Sequence, residues 1–162
     1  MEQTNSTIKT NKDNVKLDTL SKMTASSKKT YTEKEILDRI EGRYVYQEIL
    51  TNSILELNLV VKKNQLNYQI KTTKRNCTGL AKLSIDEDGQ IFIFIPIEYD
   101  EYEGDLTSED DKKSISEKPK EICMSFDPEL NAFVFQNYGN TMNYYVILNE
   151  FGDDKYIELR KR

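Results

Sequence analysis

The stretch LELNLVVKKNQLNYQIKT, residues 55–72, decides the fold. Leu55, Leu57, Leu59 and Val61 fall on one side and Glu56, Asn58 and Lys62 on the other, the period-two alternation of a half-buried strand. Lys63-Asn64 reads as a two-residue turn, after which Leu66, Tyr68, Ile70 and Thr72 alternate with Asn67, Gln69 and Lys71. Two amphipathic strands joined this tightly pair antiparallel, with their apolar sides on one face.

The pattern continues in both directions. Upstream, Tyr44 and Tyr46 alternate with Arg43, Val45 and Gln47. Downstream, Ala81, Leu83 and Ile85 share a face, and Asp86-Glu87-Asp88-Gly89 turns the chain into Ile91–Ile95. After a long loop at 98–120 come strands over 121–126, 132–136 and 143–149, with a turn at Asp127-Pro128. Phe151-Gly152-Asp153-Asp154 leads into a closing strand over 155–161. Local hairpins at a spacing of about ten residues predict an all-β fold, an antiparallel up-and-down β-barrel of eight or nine strands. Closure removes the sheet edges that a segment such as IFIFI would otherwise expose.

One short helix precedes the barrel. Thr32-Glu33-Lys34-Glu35 fits a capping box, Ile36, Leu37 and Ile40 fall on one face, and Gly42 supplies a left-handed stop. A helix of barely ten residues is unstable alone and must dock on the sheet. Residues 1–31, rich in Lys, Thr, Ser and Asn, read as a disordered N-terminal tether, and 32–162 as the barrel domain with its acidic loop at 98–120.

Two strands are apolar on both faces. Ile91, Ile93 and Ile95 oppose Phe92 and Phe94, while Tyr144, Val146 and Leu148 oppose Tyr145 and Ile147. The helix is the expected cover for the outer side. Left uncovered, Phe92, Phe94, Tyr145 and Ile147 would form an apolar patch for a protein or lipid ligand.

The composition excludes several functions. A net charge of −5 argues against nucleic acid as a partner, since phosphate neutralisation needs a basic face. The longest apolar run, Ile91 to Ile97, is far too short to span a bilayer, so no transmembrane segment is expected. No signal-like apolar stretch occurs in residues 1–29, which leaves two locations open. One is the cytoplasm; the other is the periplasm or cell envelope, with an export signal or lipid anchor already removed.

The chemistry-bearing residues are sparse. The chain has no His, so neither a zinc site nor an activated catalytic Cys is expected. Asp86-x-Asp88-Gly89 matches part of a calcium loop but lacks its later ligands and reads as a turn. No catalytic set, metal or cofactor is expected, and the protein reads as a non-enzyme. Cys77 and Cys123 form a candidate disulfide closing a loop of about 46 residues, worth roughly 4 kcal/mol, or stand as two buried thiols.

The acidic loop is the main candidate site. Nine acids between Glu98 and Glu117 face four lysines in the 98–120 segment, so it carries a net −5. Such a field can attract a basic protein, and tyrosines among acids suit a contact surface. Tyr99, Asp100, Glu101, Tyr102, Glu103 and Asp105 are the candidate partner-binding residues. The structural alternative is a solvated loop whose charges shield the sheet.

The layout resembles the lipocalin-like (calycin) barrels. Gly42-Arg43-Tyr44 after a turn of helix is similar to their Gly-x-Trp, with Tyr in place of Trp, and Arg160 resembles their final-strand Arg packed over that ring. The order Cys77-Thr-Gly-Leu-Ala, strand, strand, Cys123 resembles small exported bacterial β-barrel lipoproteins, some of which inhibit host lysozymes. The Ser-Gly-x-x-Tyr inhibitory loop of the best-known inhibitors is absent. The resemblance implies a partner-binding barrel, including inhibition of a cell-wall hydrolase. Two other readings are a carrier of a small apolar ligand and a cytosolic immunity protein against a toxin.

Overall fold

The computed structural model describes residues 31–105 and 117–162. The expected tether at 1–31 lies outside them except for Tyr31, as does the part of the acidic loop at 106–116. Helix α1 (Glu33–Ile40) is followed by strands β1 (Gly42–Gln47), β2 (Ile54–Lys62), β3 (Gln65–Lys71), β4 (Asn76–Ile85) and β5 (Ile91–Ile95). Then come β6 (Glu101–Asp105), β7 (Ile122–Asp127), β8 (Ala132–Gln136), β9 (Asn143–Val146) and β10 (Tyr156–Lys161).

Eight strands close into an antiparallel barrel in the order β1-β2-β3-β4-β5-β7-β8-β10, with β10 returning to β1. The turns follow the sequence reading. Lys63 and Asn64 both take positive φ, 51° and 59°, as a tight hairpin turn between right-twisted strands requires. At the next hairpin the Asp86 carboxylate accepts from the amides of Asp88 and Gln90, and Gly89 takes φ 80°.

The interior is filled by the inward residues of every barrel strand. Leu57, Leu59, Ile70, Ile93, Met124, Phe126, Phe133 and Leu159 are fully buried. Tyr44, Phe133 and Phe126 form a chain of aromatic contacts with 4.9 Å between successive ring centres. On β4 the residue opposite Tyr68 is Gly79, where a Cβ would lie 3.0 Å from the Tyr68 ring.

The structure departs from the sequence reading at several points. First, α1 does not cover Phe92 and Phe94; it caps one end of the barrel. Its Ile36, Leu37 and Ile40 are buried, and the Tyr44 hydroxyl donates to the Ile40 carbonyl at 2.9 Å. Arg39 donates to the Pro128 carbonyl at 2.6 Å, and Glu41 accepts from the Val61 amide at 2.9 Å. An end of the packed interior offers a short apolar stripe more buried area than an outer wall does. Gly42 is the first residue of β1 and not a helix stop; φ is +145° there, and a Cβ would lie 2.6 Å from Lys161 Cε.

Second, β9 is not a barrel strand. It leaves the barrel and pairs with β6, a strand inside the segment expected to be a loop. Asn137 diverts the chain after β8. This fully buried amide donates to the carbonyls of Leu148 (3.1 Å) and Phe151 (2.7 Å) and accepts from the Leu148 amide (2.9 Å). Ile147, Leu148 and Phe151 thereby fold over the second barrel mouth, which is why that segment is apolar on both faces.

Third, the disulfide is absent. Cys77 packs inward against the core, whereas Cys123 points outward between buried Ile122 and Met124. Cys123 is level with Phe94, which is level with Lys82 on β4, five residues from Cys77. At about 3.3 Å per residue that offset is roughly 16 Å along the strand. A bridge needs Cα atoms within about 7 Å.

Candidate interaction surface

The candidate residues 99–105 lie at the barrel mouth opposite α1, on and beside the β6–β9 ribbon. A partly buried ion network holds the base of that ribbon. Arg75, in the β3–β4 turn, contacts Asp100 at 2.6 Å and Glu150 at 2.8 Å. The Thr72 hydroxyl also donates to Glu150 at 2.6 Å, and the Asn149 amide to Asp100 at 2.8 Å. Burial pushes the Glu150 carboxyl up, but Arg75 and Thr72 outweigh it and hold the group below the usual carboxylate range. The same pairing, against the opposing effect of burial, raises Arg75. Asp100 therefore acts as a fastener turned toward the barrel and offers little to a partner.

The other candidates are arranged on the ribbon. Tyr99 is half-buried and packs on Tyr145 with ring centres 5.5 Å apart. Tyr102 is paired directly with Tyr145 across the two strands, and a bulge at Glu103 precedes Gly104. Glu101 and Glu103 are exposed, and the Tyr144 hydroxyl donates to Glu101 at 2.5 Å. Asp105 ends β6, level with Asn143. Burial raises the Tyr145 hydroxyl, with Tyr156 a second cause. Gly139 makes the return turn compact: its amide donates to the Tyr145 carbonyl at 3.0 Å, and a Cβ would sit 2.8 Å from the Tyr145 ring.

The four residues of the apolar patch do not come together. Ile147 is buried in the mouth plug, and Tyr145 belongs to the ribbon. Phe92 and Phe94 stay half-buried on the outer wall of β5, where Phe94 is level with Cys123. The expected contact of Arg160 with the Tyr44 ring is not made. Lys161, not Arg160, lies over Tyr44, while Arg160 turns outward to Glu158 at 2.5 Å.

Sequence reasoning missed Tyr144, Arg75 and Glu150, whose roles depend on partners 25 to 78 residues away in the chain. It also missed the β1–β2 turn, where Ile49 and Leu50 are 91% and 92% exposed. Two adjacent large aliphatics between strand signals were the available clue.

No protein-family model, curated protein or solved structure matches this chain. Among the described residues, no helix is long and apolar enough to cross a membrane, and no group of three or more acidic or Cys side chains is placed to hold a metal ion.

Proposed function

We propose that this barrel is a non-enzymatic binding module that recognises a basic protein through the β6–β9 ribbon. The observation that carries the reading is the ribbon itself: Tyr99, Tyr102 and Tyr145 cluster on it, and the exposed carboxylates of Glu101 and Glu103 line it, Glu101 held by the Tyr144 hydroxyl. Tyrosine gives large, rigid contact area at low entropic cost, and the glutamates attract cationic groups and favour fast association. The side chains that fill the interior favour this over the carrier reading, because an eight-stranded barrel has room for a core or for one small ligand. A cell-wall hydrolase of the lysozyme class is the partner that the calycin-like layout suggests. Cys77 and Cys123, which cannot reach each other, suit a reducing compartment as well, so a toxin bound by a cytosolic immunity protein is the second reading.

The test is binding of purified protein to a purified basic muramidase, with inhibition of wall lysis read in parallel. Tight binding that weakens with salt, and weakens again in Tyr102→Ala and in the Glu101→Gln/Glu103→Gln pair, is the expected result. Binding unchanged by those substitutions removes the ribbon from the contact. Absence of binding removes the hydrolase and leaves the immunity reading to be tried on toxins.

A further inference from the structure

We infer that the β1–β2 turn anchors this contact, with Ile49 and Leu50 entering an apolar cleft of the basic partner. The inference rests on the reading that the barrel binds such a protein, and it deepens it by giving the partner a shape. Ile49 and Leu50 are the two most exposed large apolar residues among those described, at 91% and 92%. A hydrophobic pair at the tip of a hairpin is convex, so it can be buried only by a concave surface.

The tip is held rigid by polar contacts that do nothing else. The Glu48 carboxylate accepts from the Leu50 amide at 2.7 Å, and from both the amide and the hydroxyl of Thr51. Gln47 donates to Asn52 at 2.7 Å, the Glu48 amide donates to the Ser53 carbonyl at 2.9 Å, and Asn52 takes a left-handed φ of 56°. A loop ordered in advance loses little conformational freedom on binding, which converts apolar burial into affinity.

The tip is also continuous with the ribbon surface. Tyr46, on the strand that leads to the tip, packs on Phe151 of the mouth plug with ring centres 5.8 Å apart, and its hydroxyl donates to Asp154 at 2.7 Å, so the tip and the ribbon lie at the same end of the barrel. Tyr156, 61% exposed, is level with Gln136, whose side chain donates to the Tyr138 carbonyl beside β9, while Ile54, paired with Gln47, is 38% exposed. An aliphatic anchor, a tyrosine bridge and a tyrosine-glutamate ribbon thus run along one end of the barrel.

Charge selects the occupant. Residues 31–162 carry 25 acidic against 17 basic side chains, and the Glu48 carboxylate lies in the tip itself with Asp154 bonded to Tyr46 at its base. A second copy would set acid against acid, and an anionic bilayer would repel the same face. A basic protein gains from both the apolar and the electrostatic contact.

The experiment places a benzoylphenylalanine photo-crosslinker at position 50, or at position 130 on the far turn as control, in the full chain within the cells that make it. The protein crosslinked from position 50 is then purified and titrated against unmodified chain, an Ile49→Ser/Leu50→Ser variant and the Glu101→Gln/Glu103→Gln variant, with melting curves confirming folding. The expected result is a basic partner captured from position 50 and not from 130, whose Kd rises on the order of tenfold or more in the serine variant. A self-adduct, a lipid adduct, no adduct, or a partner indifferent to the serine pair overturns the inference. If only the glutamine variant weakens binding, the tip is excluded and the ribbon reading stands; if neither does, both fall.

Discussion

The Lys161 ammonium lies 5.8 Å from the centre of the Tyr44 ring, and the two residues face each other where the last strand meets the first. The same ammonium donates to the Arg39 carbonyl at 2.8 Å, in the last turn of α1, where the helix dipole is negative. One side chain therefore joins the closing seam of the barrel to the helix that caps it.

Lys161→Met should keep the stem and lose the charge. The cation–π contact and the hydrogen bond together suggest a loss of about 1–2 kcal/mol. Urea unfolding should show a lower midpoint at unchanged slope. Arg160→Met, whose side chain points to solvent, should leave the midpoint within about 0.5 kcal/mol of the starting protein.

That one-residue difference shows where sequence reading stops. The hairpins were legible because each is local: Lys63-Asn64 and Asp86–Gly89 specify their turns within four residues, and the alternation around them specifies the faces. Whether residue 160 or 161 faces the ring depends on the β1–β10 register across more than 110 residues, and a slip of one inverts the face. Strand β6 was hidden for the same reason, since EYEGD becomes a strand only by pairing with β9 some forty residues later. The apolar face of α1 was readable, but what it covers depends on where the barrel ends.

Glu150 makes stability depend on acid. Its folded-state pKa lies below its ordinary value of 4.5, so its stabilisation is complete above about pH 4.5 and is lost as pH falls through the lower folded value. Glu150→Gln should cost on the order of 3 kcal/mol at neutral pH, because Arg75 loses its most buried partner. It should also flatten the acid side of a plot of unfolding free energy against pH. A variant whose acid limb matches the original in slope would show that other carboxylates govern it.

The two thiols should behave separately. Under native conditions Cys123 should be alkylated ahead of Cys77, which packs against the core. Burial first, and then the Glu121 charge, raises the Cys123 thiol, so its reaction should be slower than that of free cysteine at pH 8 and should accelerate above pH 9. Reductant should leave the melting temperature unchanged. A shift in melting temperature on reduction, with a peptide linking residues 77 and 123 in the mass spectrum, would refute the separation described above.

Asn137 offers the sharpest local test. Its side chain joins the end of β8 to both Leu148 and Phe151, and its carbonyl accepts from the Ile147 amide at 2.8 Å. Asn137→Ala would leave the Leu148 amide and two buried carbonyls without this partner, a loss of about 2–4 kcal/mol. The damage should stay near the mouth, because the barrel ladders and the α1 end make no use of this amide. Hydrogen exchange should accelerate at the amides of β6, β9 and residues 147–151, while protection in β2, β3 and β5 falls only with global stability. Uniform acceleration through every strand would mean that the mouth plug and the barrel unfold as one unit, and that the ribbon cannot be loosened without opening the core.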